Sequence, residues 1–374
     1  MKELIIKENE ADQRADKFLK KYLDKAESGF IYKMIRKKNI TLNDKKMTGS
    51  EKLCEGDSIK IYFSEETFNK FVSDITSNTT QSRSKTANTK NVNHFGKSDD
   101  SIKINPSRKA NDTRIAKLLI NISEIEKNIV YEDKNVILFN KPVGMLSQKA
   151  KPDDISANEI LIQYMIETNK IHIEELKTFK PAVCNRLDRN TSGILIFGKT
   201  FAALQKFSDM LKKRELHKYY LCIVKGEIKS TDKIKGYLRK NEKNNLVEIS
   251  ENMCDGEYHY IETEYCPLAT NGKYTLLKVL LITGKTHQIR AHLSSIRHPI
   301  IGDKKYGNKA VNEYFSKKYR LKNQLLHSYE LKFEEMDGRF ENLSYKSFKA
   351  DLPQQFKMIL EGEKINGNLE QQRS

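Results

Sequence analysis

An aspartate between two arginines is the first place in this sequence where chemistry could be done. Asp188 lies between Arg186 and Arg189 in the run NRLDRNTSG, which spans residues 185–193. Neighbouring cations favour the ionised form of a carboxylate, and an ionised carboxylate can act as a nucleophile or a base. The alternative is a structural aspartate that caps a turn continuing to Gly193. Composition alone favours the turn.

The stretch that follows, GILIFGKT at residues 193–200, matches the phosphate-loop pattern G-x-x-x-x-G-K-[ST] letter for letter. A phosphate loop needs a Gly-rich backbone whose N–H groups turn inward around an anion. The four central residues here are Ile, Leu, Ile and Phe, which is the composition of a strand. We therefore expect a buried strand that ends at Lys199 and Thr200, and no nucleotide cofactor.

Two histidines offer a candidate metal pair. His287 and His292 are five residues apart in HQIRAHLSSIR, a segment with the pattern of a helix. Five residues turn a helix by about 500°, so the two side chains do not share a face. A metal pair needs both imidazoles on one side, and we therefore expect no metal site.

The composition indicates the kind of partner. The chain has 374 residues and a formal net charge of +17, and such an excess favours polyanions such as RNA. The five cysteines include no C-x-x-C pair, as is typical of a reducing compartment. No apolar run is long enough for a signal peptide or a membrane span. We expect a cytoplasmic monomer that binds RNA and no membrane.

Residues 1–66 are predicted to form a small αββ-type unit. Apolar residues after Arg14 recur at helical spacing, and a second short helix, GFIYKMIRKKN, follows them. The segments ITLNDKKM and SIKIYF have the pattern of strands. The second helix carries four cations that we assign to RNA binding: Lys33, Arg36, Lys37 and Lys38.

Three regions follow the small unit. Residues 67–125 have few large apolar side chains and predict a flexible basic linker. Residues 126–360 mix strand and helix patterns without strict alternation, which favours an α+β domain with a mixed, mainly antiparallel sheet. Residues 361–374 are predicted to be a polar C-terminal tail.

Several short runs in the third region occur in the order they have in one enzyme family. The run RLDRNTSG at 186–193 closely resembles the R-L-D-x-x-T-S-G signature of the RluA family of pseudouridine synthases. Further runs resemble later and earlier motifs of that family: NKPVG at 140–144, KYY at 218–220, TGKTHQIRAHL at 283–293, HPIIGD at 298–303, YG at 306–307 and LH at 326–327. The sequence departs at Asn185, where many members have His, and at Lys285, which replaces Arg. Residues 12–63 resemble the S-four-like RNA-binding module that often precedes this catalytic domain.

The resemblance implies a reaction and roles for several residues. Members isomerise uridine in RNA: the uracil is detached from ribose, rotated and rejoined through carbon five, with no cofactor. Asp188 would be the catalytic carboxylate, and Arg290 would pair with it. Tyr220 would pack on the target base and help to remove the proton from carbon five. Arg186 would fill the space left by the flipped uridine, and Lys141 is predicted to bind RNA.

The resemblance further implies a structured RNA substrate, most often large-subunit ribosomal RNA. Two alternatives stay open at this point. The same chemistry could act on transfer RNA, or the chain could be a non-catalytic RNA-binding protein built on the same domain. A nucleotide hydrolase that uses GILIFGKT is a further possibility, which the strand composition disfavours.

Overall fold

The computed structural model describes residues 1–72, 121–241, 246–250, 252 and 258–365. Most of the predicted linker and most of the predicted tail, residues 73–120 and 366–374, therefore lie outside the described residues. Four cysteines lie within them, and each is free. In the described part of the chain, no helix is long and apolar enough to cross a membrane.

The first 72 residues form a small sheet with helices packed on it. The strands pair in the order β1-β4-β2-β3, and all pairs are antiparallel. The elements are β1 (Lys2–Ile5), α1 (Ala15–Tyr22), α2 (Ser28–Arg36), β2 (Ile40–Leu42), β3 (Lys45–Lys46), β4 (Ser58–Ile61) and α3 (Glu65–Phe71). The two predicted helices and the strands after them are present. β1 was missed because KELI does not alternate between polar and apolar residues.

Helices run into both ends of the predicted linker. α3 continues past residue 66 because its aromatic side chains pack on the N-terminal core, where the ring of Phe71 lies 4.2 Å from that of Phe30 between centroids. At the other end, α4 (Ile122–Glu126) buries Ile125 in the core of the larger domain. The described structure thus continues to residue 72 and resumes at residue 121, inside the boundaries expected at 67 and 125.

The larger domain is built on one twisted sheet. Among the described residues this sheet has eleven strands, in the order β11-β10-β12-β13-β9-β14-β8-β6-β5, with β7 beside β8 and β15 beside β14. β8 and β14 run parallel, and the other pairs are antiparallel. The strands are β5 (Ile129–Glu132), β6 (Val136–Lys141), β7 (Ala182–Val183), β8 (Ser192–Gly198), β9 (Leu216–Lys225), β10 (Asp232–Asn241), β11 (Leu246–Ser250), β12 (His259–Thr270), β13 (Tyr274–Leu281), β14 (Leu326–Phe333) and β15 (Ser347–Lys349). The predicted α+β class is confirmed.

Helices cover both faces of this sheet. They are α5 (Ala157–Glu167), α6 (Phe201–Lys213), α7 (Gln288–Ser295), α8 (Lys309–Tyr319) and α9 (Gln354–Gly362), with short 3₁₀ helices at Ile173–Lys177 and Gly338–Leu343. Alternate residues of β9 point to opposite faces. Cys222 packs in the core beside α5 and α7, whereas Ile223 packs in the core beside α8 and α9. Ile365, in the predicted tail, is also buried in the latter core.

The GILIFGKT segment forms β8 from Gly193 onwards, as the strand composition predicted, and ends at Thr200, the N-cap of α6. All seven residues of β8 are buried, and Leu195 and Ile196 enter different cores. The Lys199 ammonium binds the carboxylate of Glu132 at 2.8 Å, and the Thr200 hydroxyl caps α6. A paired, buried strand cannot turn its N–H groups around a phosphate. The phosphate-loop interpretation is therefore excluded.

The N-terminal unit contacts the larger domain through polar side chains. The ammonium of Lys7 and the amide of Asn9 both bind the carboxylate of Glu175, at 2.6 and 2.8 Å. The Thr178 hydroxyl donates to Glu10. Arg339 pairs with Asp12 at 3.1 Å. These contacts join the small unit to the 3₁₀ helix at Ile173–Lys177 and to the segment near Arg339.

Candidate active site

Asp188 lies in the loop that leads into β8, and its position depends on Gly193. The loop closes with a hydrogen bond from the Thr191 N–H to the Asp188 carbonyl. Gly193, in β8, has φ +108° and directly faces β14. A Cβ added to Gly193 would stand 2.2 Å from the backbone carbonyl oxygen of Ser328. Only glycine allows both this backbone conformation and this close approach. Gly193 therefore fixes one end of the loop against β14.

A buried lysine fixes the other end of the loop. The side chain of Lys141 is 0% exposed, and its ammonium donates to the carbonyls of Pro142, Met145 and Arg189 at 3.1, 2.8 and 3.4 Å. Burial lowers the pKa of Lys141 to about 7, while the charge of Asp188 acts in the opposite direction. The predicted RNA contact of Lys141 is thus corrected: its ammonium faces protein carbonyls and not the surface.

The turn after Lys141 is tied directly to the aspartate loop. The Gly144 N–H donates to the Arg189 carbonyl at 2.9 Å, and the Arg189 Nε donates back to the Gly144 carbonyl at 3.0 Å. The Ser147 hydroxyl donates to the Leu187 carbonyl at 2.9 Å and lies 3.0 Å from the Leu187 N–H. The residues on both sides of Asp188 are therefore held by the NKPVG turn and the segment after it.

The carboxylate of Asp188 is paired with Arg290, as the motifs implied. The Nη1 of Arg290 donates to Asp188 Oδ2 at 2.7 Å. Arg290 belongs to α7 and is 5% exposed, whereas the Asp188 side chain is 28% exposed. No described group hydrogen-bonds the other oxygen, Oδ1, of Asp188. The aspartate is thus held by one oxygen and offers the other to the solvent side.

A second carboxylate holds Arg290 from behind. The Nε and Nη2 of Arg290 donate to Oδ2 and Oδ1 of Asp303 at 2.7 and 2.9 Å. Burial would raise the pKa of Asp303, but the hydrogen bonds and charge of Arg290 outweigh burial and lower it. No role was predicted for Asp303, although it lies in the quoted HPIIGD run. A loop aspartate carries no sequence signal of burial.

Tyr220 reaches the same place from the centre of the sheet. It lies on β9 and is 5% exposed. Burial raises its pKa to about 12, a Ser328 hydrogen bond opposes this rise, and the charge of Asp188 adds to it. At neutral pH the phenol is therefore protonated. This state suits a packing surface better than a proton acceptor.

His287 and Tyr306 form a layer around the ion pair that sequence reasoning missed. His287 precedes α7 with φ +56°, and its Nε2 lies 3.9 Å from Asp188 Oδ2. Its Nδ1 lies 3.0 Å from the Tyr306 hydroxyl, and the guanidinium carbon of Arg290 lies over the Tyr306 ring, 5.2 Å from its centroid. Burial lowers the pKa of His287, although Asp188 acts in the opposite direction. His287 lies in the TGKTHQIRAHL motif and Tyr306 in the YG motif, and these motifs were the only sequence signal for a role at the site.

The structure has an open cleft of about 890 Å³ at this site, and His287 is among the residues that line it. Asp188, Tyr220 and Arg290 all line it, as does the exposed Arg186. The other basic residues along its walls are Arg189, Lys218, Lys240, Lys285, Lys304 and Lys305. Such a concentration of cations around one carboxylate suits a polyanionic substrate.

The predicted cations of the N-terminal unit lie elsewhere. Lys33 and Arg36 are exposed on α2, and Lys37 and Lys38 are exposed directly after it. None of the four lines the cleft. The structure therefore gives two separate basic surfaces, the cleft and the end of α2.

Known proteins match this chain in sequence and in fold. Residues 135–295 match the family described as RNA pseudouridylate synthase. The chain is 35% identical to the ribosomal large subunit pseudouridine synthase D of Borreliella burgdorferi over 241 residues, which cover 64% of this chain and 69% of that one. It is 30% identical to a ribosomal large subunit pseudouridine synthase C of Buchnera aphidicola, with 88% of each chain covered. The solved structure of human RNA pseudouridylate synthase domain containing 4 has a TM-score of 0.53 and 20% identity, and the match covers 66% of this chain and 96% of that one.

The chain therefore belongs to the RNA pseudouridylate synthase family, as its RluA-type motifs predicted. It is an enzyme that isomerises uridine in RNA to pseudouridine. The human structure supports the shared fold, and the two bacterial relatives support the family. The non-catalytic interpretation that the sequence left open is thus set aside.

Proposed function

We propose that Asp188 performs the chemistry and that the substrate is large-subunit ribosomal RNA. The observation that carries the first part is the 2.7 Å contact between Arg290 Nη1 and Asp188 Oδ2 at the base of a basic cleft. A guanidinium keeps its charge and binds a carboxylate in a fixed geometry. Arg290 thus holds the carboxylate of Asp188 by Oδ2 and leaves Oδ1 for the substrate.

The target uridine must leave its stack to reach this aspartate. Flipping a nucleotide costs a few kcal/mol, and a side chain that occupies the vacated space offsets part of that cost. Arg186 is exposed at the cleft, two residues before Asp188. We assign this role to Arg186, and we assign the surface against which the flipped base packs to Tyr220. The buried, protonated phenol favours contact with the base over removal of its proton.

Asp188 then acts on the ribose of the flipped nucleotide. It either attacks the sugar or removes its 2′ proton, and both routes require the carboxylate to be ionised. The bond between N1 of the uracil and the ribose breaks, and the uracil rotates and rejoins through carbon five. Carbon five then loses its proton while N1 gains one, so that the product is an isomer of the substrate. The reaction is an isomerisation, so the chain's own side chains need supply only positioning, charge, proton transfer and, on the first route, the attacking carboxylate.

The N-terminal unit and the relatives' names support ribosomal RNA as the substrate. Phosphate contacts position an RNA without reading its sequence, and the exposed cations after α2 are suited to such contacts. Their separation from the cleft implies that an RNA bound at both surfaces is large and structured. The relatives from Borreliella and Buchnera are named for the large ribosomal subunit.

Site-resolved mapping of pseudouridine in total RNA tests this proposal. Cells without the gene should lack one or more pseudouridines in large-subunit ribosomal RNA, and the wild-type gene should restore them. The Asp188→Ala gene should not restore them. Missing sites confined to transfer RNA would overturn the substrate assignment, and restoration by Asp188→Ala would overturn the catalytic one.

A further inference from the structure

Lys218 projects into the cleft from the central strand of the sheet. It precedes Tyr220 by two residues on β9, so the two side chains leave the same face of the strand. Both line the cleft with Asp188. The Lys218 ammonium lies beside Gly284, where a Cβ would stand 3.5 Å from it. Its position is thus between the catalytic strand and the loop before α7.

The Lys218 ammonium has no partner among the described residues. Two lysines with buried side chains, Lys141 and Lys199, differ in this respect. Lys141 donates to three carbonyls, and Lys199 binds Glu132 at 2.8 Å and the Asp133 carbonyl at 2.6 Å. Taking a cation out of water without a partner is costly. A protein retains such an unpaired ammonium when a bound ligand supplies its hydrogen-bond acceptor.

The partial burial and the charge of Lys218 indicate which kind of ligand atom its ammonium binds. Lys285, at the same cleft, is exposed and can be solvated by water. Lys218 is only partly exposed, and burial lowers its pKa to about 8. It is therefore mostly charged at neutral pH but poorly hydrated. A poorly hydrated ammonium binds an oxygen acceptor more strongly than an exposed one, because less water must be displaced.

We propose that Lys218 is a substrate-binding residue whose ammonium donates a hydrogen bond to an oxygen acceptor of the target nucleotide. The acceptor is either a phosphate oxygen beside the flipped uridine or a carbonyl oxygen of its uracil. The inference rests on the proposed entry of that nucleotide into this cleft. It adds a contact that is distinct from the pairing of Arg290 with Asp188, since Lys218 touches neither side chain through a hydrogen bond.

Stability and activity should respond to Lys218 in opposite ways. In the full-length enzyme, Lys218→Met keeps the length of the side chain but removes the charge. Its melting temperature should equal or exceed that of the wild type, because an unpaired cation is lost. Its kcat/KM on the RNA substrate should fall about tenfold or more, as expected for the loss of a charge-assisted hydrogen bond. Lys229→Met, at an exposed lysine outside the cleft, is the control and should match the wild type in both measurements.

The salt dependence of RNA binding separates the two acceptors. A phosphate contact predicts that Lys218→Met lowers the slope of log affinity against log salt by about one. A uracil contact predicts an unchanged slope and a slower single-turnover rate at saturating RNA. Wild-type kinetics of Lys218→Met would overturn the proposal, as would a parallel loss of stability and activity. Asp188→Ala, assayed in parallel, distinguishes the substrate contact of Lys218 from the catalytic role of Asp188. If Asp188→Ala is inactive while Lys218→Met is unaffected, only the proposed contact of Lys218 is wrong.

Discussion

Asp303 is fully buried and holds Arg290 by two hydrogen bonds, at 2.7 and 2.9 Å. The guanidinium of Arg290 uses its remaining edge for Asp188 at 2.7 Å. Arg290 therefore links the buried carboxylate of Asp303 to the partly exposed carboxylate of Asp188. Because a planar guanidinium has a rigid fork of donors, fixing one side by Asp303 fixes the direction in which the other side points.

Asp303→Asn should damage both stability and activity. The variant keeps the shape but leaves the buried Arg290 with a single carboxylate, and breaking a buried pair of this kind costs about 3–5 kcal/mol. We expect a loss of roughly that size in the free energy of unfolding, measured with denaturant, and a lower kcat. Asp337→Asn is the matched control, since Asp337 pairs with Lys206 at the exposed surface and should leave both quantities unchanged. Wild-type stability of Asp303→Asn would contradict the positioning role.

Gly193→Ala should destabilise the protein by more than the cost of its positive φ, because the new Cβ would also collide with β14. Gly193 and Gly56 both have positive φ, at +108° and +85°, but a Cβ on Gly193 would meet Ser328 and a Cβ on Gly56 would meet nothing within 4 Å. The left-handed backbone costs about 1–2 kcal/mol at either site. We expect Gly56→Ala to lose about that much in the free energy of unfolding, and Gly193→Ala to lose more and to be nearly inactive. Equal losses in the two variants would show that the contact with β14 is unimportant.

Acid should destabilise the enzyme through His292. Its imidazole is buried on α7, where Nδ1 lies 2.9 Å from the Thr263 hydroxyl and Nε2 has no partner among the described residues. Burial lowers its pKa from 6.5 to about 4. The neutral folded form therefore contributes stability that is complete above pH 6.5 and is lost as the pH falls towards 4, because the unfolded chain binds the proton first.

His292→Gln should remove this contribution. Between pH 6.5 and 4 the free energy of unfolding of the wild type should fall more steeply than that of the variant, by up to about 1.4 kcal/mol per pH unit. Denaturant titrations at several pH values measure both slopes. His259→Gln, at an exposed histidine, should keep the wild-type slope. If the free energy of unfolding fell equally with pH in the wild type and in His292→Gln, the proposed contribution of a buried neutral imidazole to stability would be wrong.

Local patterns in the sequence suffice for the strand and helix that follow the Asp188 loop. The four apolar residues between Gly193 and Gly198 predicted β8, and the buried residues Ala203, Phe207 and Met210 of α6 recur at the spacing of a helix. Both elements bury their apolar residues locally, so residue type and spacing suffice. The motifs also placed Asp188 and Arg290 in one site, although 102 residues separate them.

The residues that hold Asp188 and Arg290 in place could not be predicted in this way. Lys141 was predicted to bind RNA, whereas three converging carbonyls hold its ammonium inside the protein. Lysines are usually exposed, so the residue type gives no signal of this burial. Asp303 and Tyr306 acquire their contacts only when the loop before α8 meets α7. Such contacts depend on tertiary packing, and the identity of a single polar residue does not reveal them.

The most direct test of the account is single-turnover isomerisation by Asp188→Asn. The amide keeps the shape of the side chain and its place beside Arg290, but it cannot act as an ionised carboxylate. We expect no detectable pseudouridine formation by this variant, while its affinity for the RNA substrate stays within a few-fold of that of the wild type. An isomerisation rate close to that of the wild type would contradict the assignment of the chemistry to Asp188.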